Sequence, residues 1–569
     1  MIMKASDAIV QFFIDKQITD IFGYPGGMVT HLMDSFDKYK NKISAHVTYN
    51  EQGASFAACG YAQVSLKPGV AYATSGPGAT NLITGICNAY FDGIPAIFIT
   101  GQVNTYESGK GLSCRQKGFQ ETDILGIVRP VTKYCSYIEK PEDLLPELEK
   151  AYTIAMDGRC GPVVLDVPMN VQRADIVYSL NGAQNQVTNL IDENQLQVII
   201  DIVKTAKRPC FLAGAGIRQS GSLSQFVELI NENQIPVVTS MIAIDTLPSN
   251  HSMKYGFIGA YGDRTANFIV EKCDLLITLG SRLDIRQTGV DQKNFAPHAK
   301  LIRVDIDRQE CTNKIKSDEI DINLDLKETI PVLSQILRNY LNENEDWIKL
   351  CNTIRNELSS IDDQLPNQIV TSLSEKIPED VVITTDVGQN QVWISQSFQV
   401  KENQRILFSG GHGAMGYSLP AAIGAYYASR KPIVCFNGDG GFQMNIQELQ
   451  FIASHHLPIK IIVFNNHSLG MIRHFQEMYF DSRYVQTIAS GNYFSCNLRK
   501  ISEAYNIPFY EFSDSDFTVK HVFEDMGPCL VEISLPEETY VIPKLAVGKP
   551  NTDQEPPLDR VLYRKLMDL

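Results

Sequence analysis

Short continuous runs of β-branched and aromatic residues alternate along the chain with longer stretches whose apolar positions recur every third or fourth residue. A strand buried on both faces reads as an unbroken apolar run, and the helix that returns the chain to the next parallel strand reads as an amphipathic stretch. The pattern therefore predicts parallel α/β architecture. In the first third, strands are expected at Val70–Ala73, Ala96–Thr100 and Val163–Val167. In the middle third they are expected at Cys210–Ala213, Pro236–Thr239, Leu275–Leu279 and Leu301–Val304. In the last third the runs are Val381–Thr385, Ile433–Phe436, Lys460–Phe464 and Leu530–Ile533. The polar stretch from Ala174 to Gln195 reads as a linker, and a charged helical segment around Asn339–Asp362 separates the second unit from the third. The expected fold is α/β, with three parallel-sheet units and no short-period repeat.

Composition narrows the function classes. The chain has 569 residues, more than one core supports. Lys+Arg 50 against Asp+Glu 65 leaves a net charge of −15, which repels phosphate backbones and argues against a nucleic-acid partner. The 12 cysteines are scattered singly, without CxxC pairs, as expected of reduced thiols in the cytoplasm. The opening MIMKASDAIVQFFIDKQ has the spacing of an amphipathic helix and lacks the apolar stretch and cleavage site of a signal peptide. No apolar run approaches the ~20 residues needed to span a bilayer, so no membrane partner is expected.

The most specific chemical signal is Asn437-Gly438-Asp439-Gly440-Gly441, which directly follows an expected strand and precedes a helical pattern. A second strand runs into Asn465-Asn466-His467-Ser468-Leu469-Gly470, with Asn466 lying 26 residues after Gly440. Both turns fall at the carboxyl ends of parallel strands, where open α/β sheets bind ligands. Gly438 and Gly440 permit close backbone approach, and a helix N-terminus offers amides to phosphate. The Asp439 carboxylate, the Asn466 amide oxygen and Ser468 are hard oxygen donors suited to Mg²⁺ shared with a diphosphate. Taken alone, GDG is a turn and NN a helix cap; the pairing of the two after successive strands is what carries the reading.

That pairing resembles the diphosphate-binding motif of thiamine-diphosphate enzymes. Tyr49-Asn50-Glu51-Gln52-Gly53, Thr74-Ser75-Gly76-Pro77-Gly78-Ala79-Thr80-Asn81, Gly101-Gln102-Val103, Gly118-Phe119-Gln120-Glu121, Gly161-Pro162-Val163, Gly413-Ala414-Met415-Gly416 and Leu469-Gly470-Met471 resemble acetolactate synthase over essentially the whole chain. The resemblance implies a pyrimidine-binding domain over 1–175, a central domain over 192–340, a diphosphate-binding domain over 365–546 and a C-terminal tail over 547–569. It also implies a homodimer or homotetramer whose active sites are shared between subunits, with a small regulatory subunit as a further partner. Glu51 becomes the carboxyl group that relays a proton to the cofactor's aminopyrimidine. Outside the resemblance it is an ordinary first-turn helix carboxylate. Phe119 and Gln120 join it on the catalytic side. Pro25, Gly26, Gly76, Gln389, Asn390, Gly413, Met415, Gly438, Gly440, Gly441, Gly470 and Met471 are the implied cofactor contacts, with Met415 as the apolar wedge under the bent cofactor. Two residues depart from the family pattern: Asn50 and Asn390 each stand where His is common.

In the middle unit, Phe211-Leu212-Ala213-Gly214-Ala215-Gly216 is a strand followed by a glycine-rich turn, weak evidence by itself. Similarity to acetolactate synthase makes it a flavin site for FAD. Its contacts would be Arg159, Gly214, Gly216, Ser240, Gly280, Arg282, Asp284, Arg286, Asp305, Ile306 and Asp325. Ala260-Tyr261 stands where the family usually has Met-His.

The reaction so implied takes pyruvate, releases CO₂ and passes the two-carbon unit to a second carbonyl. A pyruvate oxidase or decarboxylase is the alternative use of the same donor chemistry. Gln102, Phe475 and Arg473 are the expected acceptor-side residues. Phe475 replaces a family Trp, and Arg473-His474 together with Lys110–Lys117 read as a wider, basic mouth. Such a mouth suits a larger anionic acceptor, for instance a nucleotide-linked keto sugar.

Overall fold

The computed structural model describes residues 1–180, 191–359, 361–512 and 520–569. It contains three six-stranded sheets in which every described pairing is parallel. The first sheet runs Ser44–Val47, Asp20–Gly23, Gly69–Ala73, Ala96–Gln102, Pro162–Pro168 and Tyr134–Tyr137 from edge to edge. The third runs Arg405–Leu407, Val382–Thr385, Ile433–Gly438, Ile459–Asn465, Cys529–Ser534 and Phe509–Phe512. Numbered along the chain, both have the order 2-1-3-4-6-5, so the two sheets are topological twins. The middle sheet runs Lys254–Phe257, Val237–Thr239, Pro209–Ala213, Leu275–Leu279, Lys300–Val304 and Ile320–Ile322, the doubly wound order 3-2-1-4-5-6.

Every strand expected from the apolar runs is present, with ends shifted by at most a few residues. Residues 181–190 of the expected linker lie outside the described residues, and both of its described ends are structured. Asp175–Val177 pairs antiparallel with Ile2–Lys4, tying the end of the first unit to its beginning. At the other end Asp192 caps the helix Glu193–Thr205 by accepting from the Asn194 and Gln195 amides. The charged segment before the third unit is the helix Glu345–Leu358, whose Trp347 and Cys351 pack into the middle sheet's core. The C-terminal helix Arg560–Asp568 returns to the same unit, burying Leu566 against Phe268 and Ile354.

The first and third units meet through the helices Glu51–Ser65 and Ser418–Ser429, whose residues share one apolar core. Their approach is close enough that a Cβ at Gly60 would overlap the Ala421 carbonyl and one at Gly424 the Ala57 carbonyl. The helix that carries Glu51 begins cleanly: the Asn50 side chain accepts from the Gln52 amide at 2.8 Å. No helix among the described residues is long and apolar enough to cross a membrane.

Candidate active site and cofactor cavity

The two turns singled out in the sequence are brought together by strand register. Ile433–Gly438 and Ile459–Asn465 are neighbours, and Gly438 lies opposite Phe464, so Asp439 and Asn466 leave adjacent strand ends about 5 Å apart. Asp439 is the first residue of the helix Asp439–Met444 and is buried. Burial raises its pKa to about 6, and Tyr493 donates its hydroxyl to Oδ2 at 3.1 Å. Asn466 donates through Nδ2 to Gln389 Oε1 at 2.9 Å, which leaves its amide oxygen free of that bond. Gln389 is itself anchored by donating to the Thr539 carbonyl at 2.8 Å, and a Cβ at Gly470 would overlap Gln389 Oε1. Ser468 Oγ and Asn390 Oδ1 are buried and have no hydrogen-bond partner among the described residues. Such orphaned oxygens in a turn of backbone amides are what a cation with a diphosphate would satisfy. The donor set fits Mg²⁺ and a diphosphate, held by Asp439, Asn466, Ser468 and the amides around Gly438, Gly440 and Gly441.

Asp386 organises this half of the site. Its carboxylate accepts from the amides of Gly416 at 3.0 Å and Ser418 at 2.9 Å, and a Cβ at Gly441 would overlap it. It thereby fixes the loop Gly413–Gly416, where Gly413 has φ 68° with nothing within 4 Å of a built Cβ. Open space beside that residue and the half-buried Met415 next to it fit the floor of a ligand site. Met471 packs at the edge of the third sheet's core.

On the first sheet the corresponding residues gather at the same topological position. Pro25-Gly26 follows the strand Asp20–Gly23, and Gly76 follows Gly69–Ala73, the pair between which the strand order reverses. Gly26 packs against Thr74, whose hydroxyl accepts from the Met28 amide at 3.1 Å. Glu51 is buried, and its Oε2 accepts from Asn81 Nδ2 at 2.9 Å. Gly76 and Gln120 both adopt positive φ, 67° and 62°, and touch each other. Phe119 is 78% exposed.

The middle unit holds a cavity of about 870 Å³ at its own switch point, between Pro209–Ala213 and Leu275–Leu279. Its floor is glycine on glycine: a Cβ at Gly216 would meet the Gly280 Cα at 2.7 Å, and one at Gly214 would overlap the Gly280 carbonyl. Ser240, Arg282, Asp284, Arg286, Asp305, Ile306 and Asp325 line it, joined by Gly410 and Gly411 from the third unit. Ser240 Oγ is buried and unpaired. Arg282 and Arg286 supply cations for a pyrophosphate, and burial raises the pKa of Asp305 at the end of its strand. A dinucleotide such as FAD fits this geometry. Arg159 reaches the rim, held by Glu310 and by Asp307 at 3.3 Å, and donates to the Phe91 carbonyl at 2.9 Å.

Comparison with known proteins places this geometry. Three protein-family models match in succession: "Thiamine pyrophosphate enzyme, N-terminal TPP binding domain" over 3–127, the "central domain" over 196–333 and the "C-terminal TPP binding domain" over 386–533. The chain is 35% identical to the acetolactate synthase large subunit of Lactococcus lactis subsp. lactis, over 96% of this chain and 95% of that protein. It is 33% identical to the acetolactate synthase isozyme 2 large subunit of Escherichia coli, over 97% and 99% of the two chains. The chain belongs to the acetolactate synthase large-subunit family. It is a thiamine-diphosphate enzyme, thiamine pyrophosphate being the same cofactor.

The residues expected on the acceptor side differ in exposure. Arg473 is 2% exposed: it donates to the Glu537 carbonyl, lies 3.5 Å from the Glu537 and Glu538 carboxylates, and lies over the Tyr484 and Tyr540 rings. Its charge is already spent on a buried anchor. The 110–117 loop is organised by an acid: Glu121 accepts from Ser108 Oγ and from the amides of Gly109, Lys117 and Gly118. Within it, Lys117 Nζ donates to the Tyr106 and Ser108 carbonyls and Lys110 lies 3.6 Å from Glu139. Gln102 is buried and fully engaged, donating to Thr122 O and Asp166 Oδ2, both at 3.0 Å. It braces the segment after Gln120 rather than facing solvent. Phe475 is exposed.

Asn81, which closes the Thr74–Asn81 motif, and Asp386, two residues before Gly388 at a strand end, also belong to the site, as do Tyr493 and Glu448, which drew no attention in the sequence. Glu448 is wholly buried beside Gly53 and accepts the Tyr49 amide at 3.0 Å, just before Glu51. A lone polar residue tens or hundreds of positions from its partner carries no spacing signal.

Proposed function

We propose that this chain is a carboligase of the acetolactate synthase type: it takes pyruvate, releases CO₂ and transfers the remaining two-carbon unit to a second carbonyl compound. The observation that carries this reading is the placement of Glu51 with Asn81 at the first sheet's switch point, matched by Asp439 and Asn466 on adjacent strands of its topological twin. Thiamine diphosphate, when bound, supplies the electron sink for decarboxylation. Glu51 holds and returns a proton on its carboxyl oxygen, Asn81 orients that carboxyl, and Asp439, Asn466 and Ser468 hold Mg²⁺ with the diphosphate. FAD occupies the middle cavity.

The working enzyme in this reading is a homodimer or homotetramer, because an exposed Phe119 and a half-exposed Met444 leave apolar surface on both ligand-binding units uncovered by this chain. The domain division remains 1–175, 192–340, 365–546 and a tail over 547–569. A small regulatory subunit and a cytoplasmic setting complete it; all twelve cysteines are free thiols. A larger anionic acceptor is the second reading, favoured by the exposed Phe475. The test is product analysis by mass after incubation with pyruvate, thiamine diphosphate and Mg²⁺, with and without added acceptors. Acetolactate or a mixed ketol with CO₂ release is expected; acetate or acetaldehyde as the sole product would replace the carboligase reading with an oxidase or a decarboxylase.

A further inference from the structure

Lys544 is a largely buried lysine whose ammonium meets no anion among the described residues. The residue is 7% exposed, yet among the described residues its ammonium makes no hydrogen bond and no ion pair. In a chain of net charge −15 that is an anomaly, because removing an ammonium from water is unfavourable unless an anion meets it. Burial alone depresses its pKa, and no carboxylate raises it again.

Its surroundings place it beside the active site. Nζ lies 5.9 Å from the centroid of the Phe475 ring. Phe475 is on the helix Gly470–Tyr479, which leaves the Asn466–Ser468 turn, so the ring is roughly 7.5 Å along the helix from Gly470. Tyr479 stands one turn further, tilted against Phe475 with centroids 4.7 Å apart, and both rings are exposed. Lys544 is held by paired backbone bonds with Glu555, at 2.9 and 2.7 Å. The segment after it is pinned by the Leu545 amide on the Ala260 carbonyl at 2.7 Å. His474, the neighbouring titratable group, stacks on Tyr540 and is pushed to about 4, first by burial and then by the Lys544 charge, so it stays neutral at pH 7. Glu477 is engaged by the Tyr484 and Tyr540 hydroxyls. Among the described residues, the cation beside Phe475 without a counter-charge is therefore Lys544, not Arg473; Arg286, also without an ion pair, lies over Tyr261 and lines the middle cavity.

We propose that Lys544, with the exposed rings of Phe475 and Tyr479, forms an acceptor subsite that receives an anionic group, carboxylate or phosphate, carried by the second carbonyl substrate. The assignment rests on the carboligase reading. Its test is a competition in which pyruvate is the donor and paired acceptors differ only by the anion: 2-ketobutyrate against propanal, and glycolaldehyde phosphate against glycolaldehyde. The product ratio within each pair is set after the donor step, so it reports acceptor selection alone. Lys544→Met should lower the anionic-to-neutral ratio roughly tenfold or more in at least one pair, and Lys544→Arg should restore most of it. The pair that responds identifies carboxylate or phosphate. Lys544→Gln accompanies Lys544→Met, so that one poorly folded variant does not decide the matter. Ratios within twofold of wild type in both pairs, as expected if a second copy of the chain neutralises Lys544, overturn the proposal. Wild-type enzyme that releases no CO₂ from pyruvate overturns the carboligase reading and the subsite with it.

Discussion

Glu51 illustrates what a single buried carboxyl does in this fold. Its position at the first turn of a helix favours a negative charge, while one oxygen is oriented by Asn81. Glu51→Gln preserves size and that contact but removes the proton-carrying group. CO₂ release from pyruvate should fall ~10²–10⁴-fold with the melting temperature unchanged; a variant that decarboxylates near the wild-type rate would remove Glu51 from the relay. Glu448 makes a different prediction. Burial raises its pKa to about 8, although the Tyr49 and Asn50 amides oppose the shift. A raised folded-state pKa means the native chain holds a proton that the unfolded chain gives up, so this contribution to stability is complete below the ordinary glutamate value of 4.5 and is lost as pH rises through about 8. Glu448→Gln cannot titrate and should flatten that part of the profile. Parallel curves of melting temperature against pH for the two proteins would show that Glu448 is ionised throughout. Residues with a dense local context, such as Asp439 and Asn466 in their turns, were legible in the sequence. Arg473 was not: the side of the helix it occupies is decided by Glu537, Glu538 and Tyr540, more than sixty positions later.

At the scale of elements, legibility follows burial. The strands read correctly are long apolar runs in the middle of each sheet, such as Leu275–Leu279 and Ile459–Asn465, buried throughout. Those missed are short, polar or at an edge. Tyr134–Tyr137 and Phe509–Phe512 are edge strands whose residues are only partly covered, and Asp20–Gly23, though buried, is four residues long with Asp and Gly at its ends. Edge strands bury one face less completely, so selection for continuous apolar residues is weaker there. The helix pair that joins the first and third units was hidden for another reason. Glu51–Ser65 and Ser418–Ser429 are rich in Ala and Gly, and small residues give little amphipathic contrast while permitting the closest approach. Gly424→Ala tests that contact. The added methyl group meets the Ala57 carbonyl and must separate the helices, which should destabilise the protein by ~1–3 kcal/mol in denaturant unfolding. Because the displaced helix begins with Glu51, decarboxylation should fall as well. Unchanged stability would mean that the two helices slide apart freely.

The whole molecule is organised around switch points, three sheets contributing one each, and the middle cavity is where all three units touch. Gly216 and Gly280 form its floor, with Gly214 packed against the Gly280 carbonyl; Phe91 and Arg159 reach it from the first unit, and Gly410 and Gly411 reach it from the third. Asp92 draws the last two inward by accepting both their amides, at 3.0 Å from Gly410 and closer from Gly411. A ligand in that cavity bridges units that elsewhere meet through the helix pair, through Asp245 with Arg405 and Ile406, and through the C-terminal tail. It should therefore stabilise the chain as a whole, by an amount that grows with ligand concentration over its dissociation constant. The purified protein is expected to be yellow, and stripping and restoring FAD should lower and then raise the melting temperature as a single transition. Gly216→Val places a branched side chain where even a Cβ would lie 2.7 Å from Gly280 Cα. It should give colourless protein with no FAD-dependent shift in melting temperature, measured by differential scanning calorimetry with added FAD. During turnover with pyruvate the wild-type flavin spectrum should persist, since transfer of a two-carbon unit between carbonyls consumes no electrons. Bleaching at the turnover rate would assign the cavity to an oxidase cycle, and a colourless wild-type preparation with full activity would take FAD out of the mechanism.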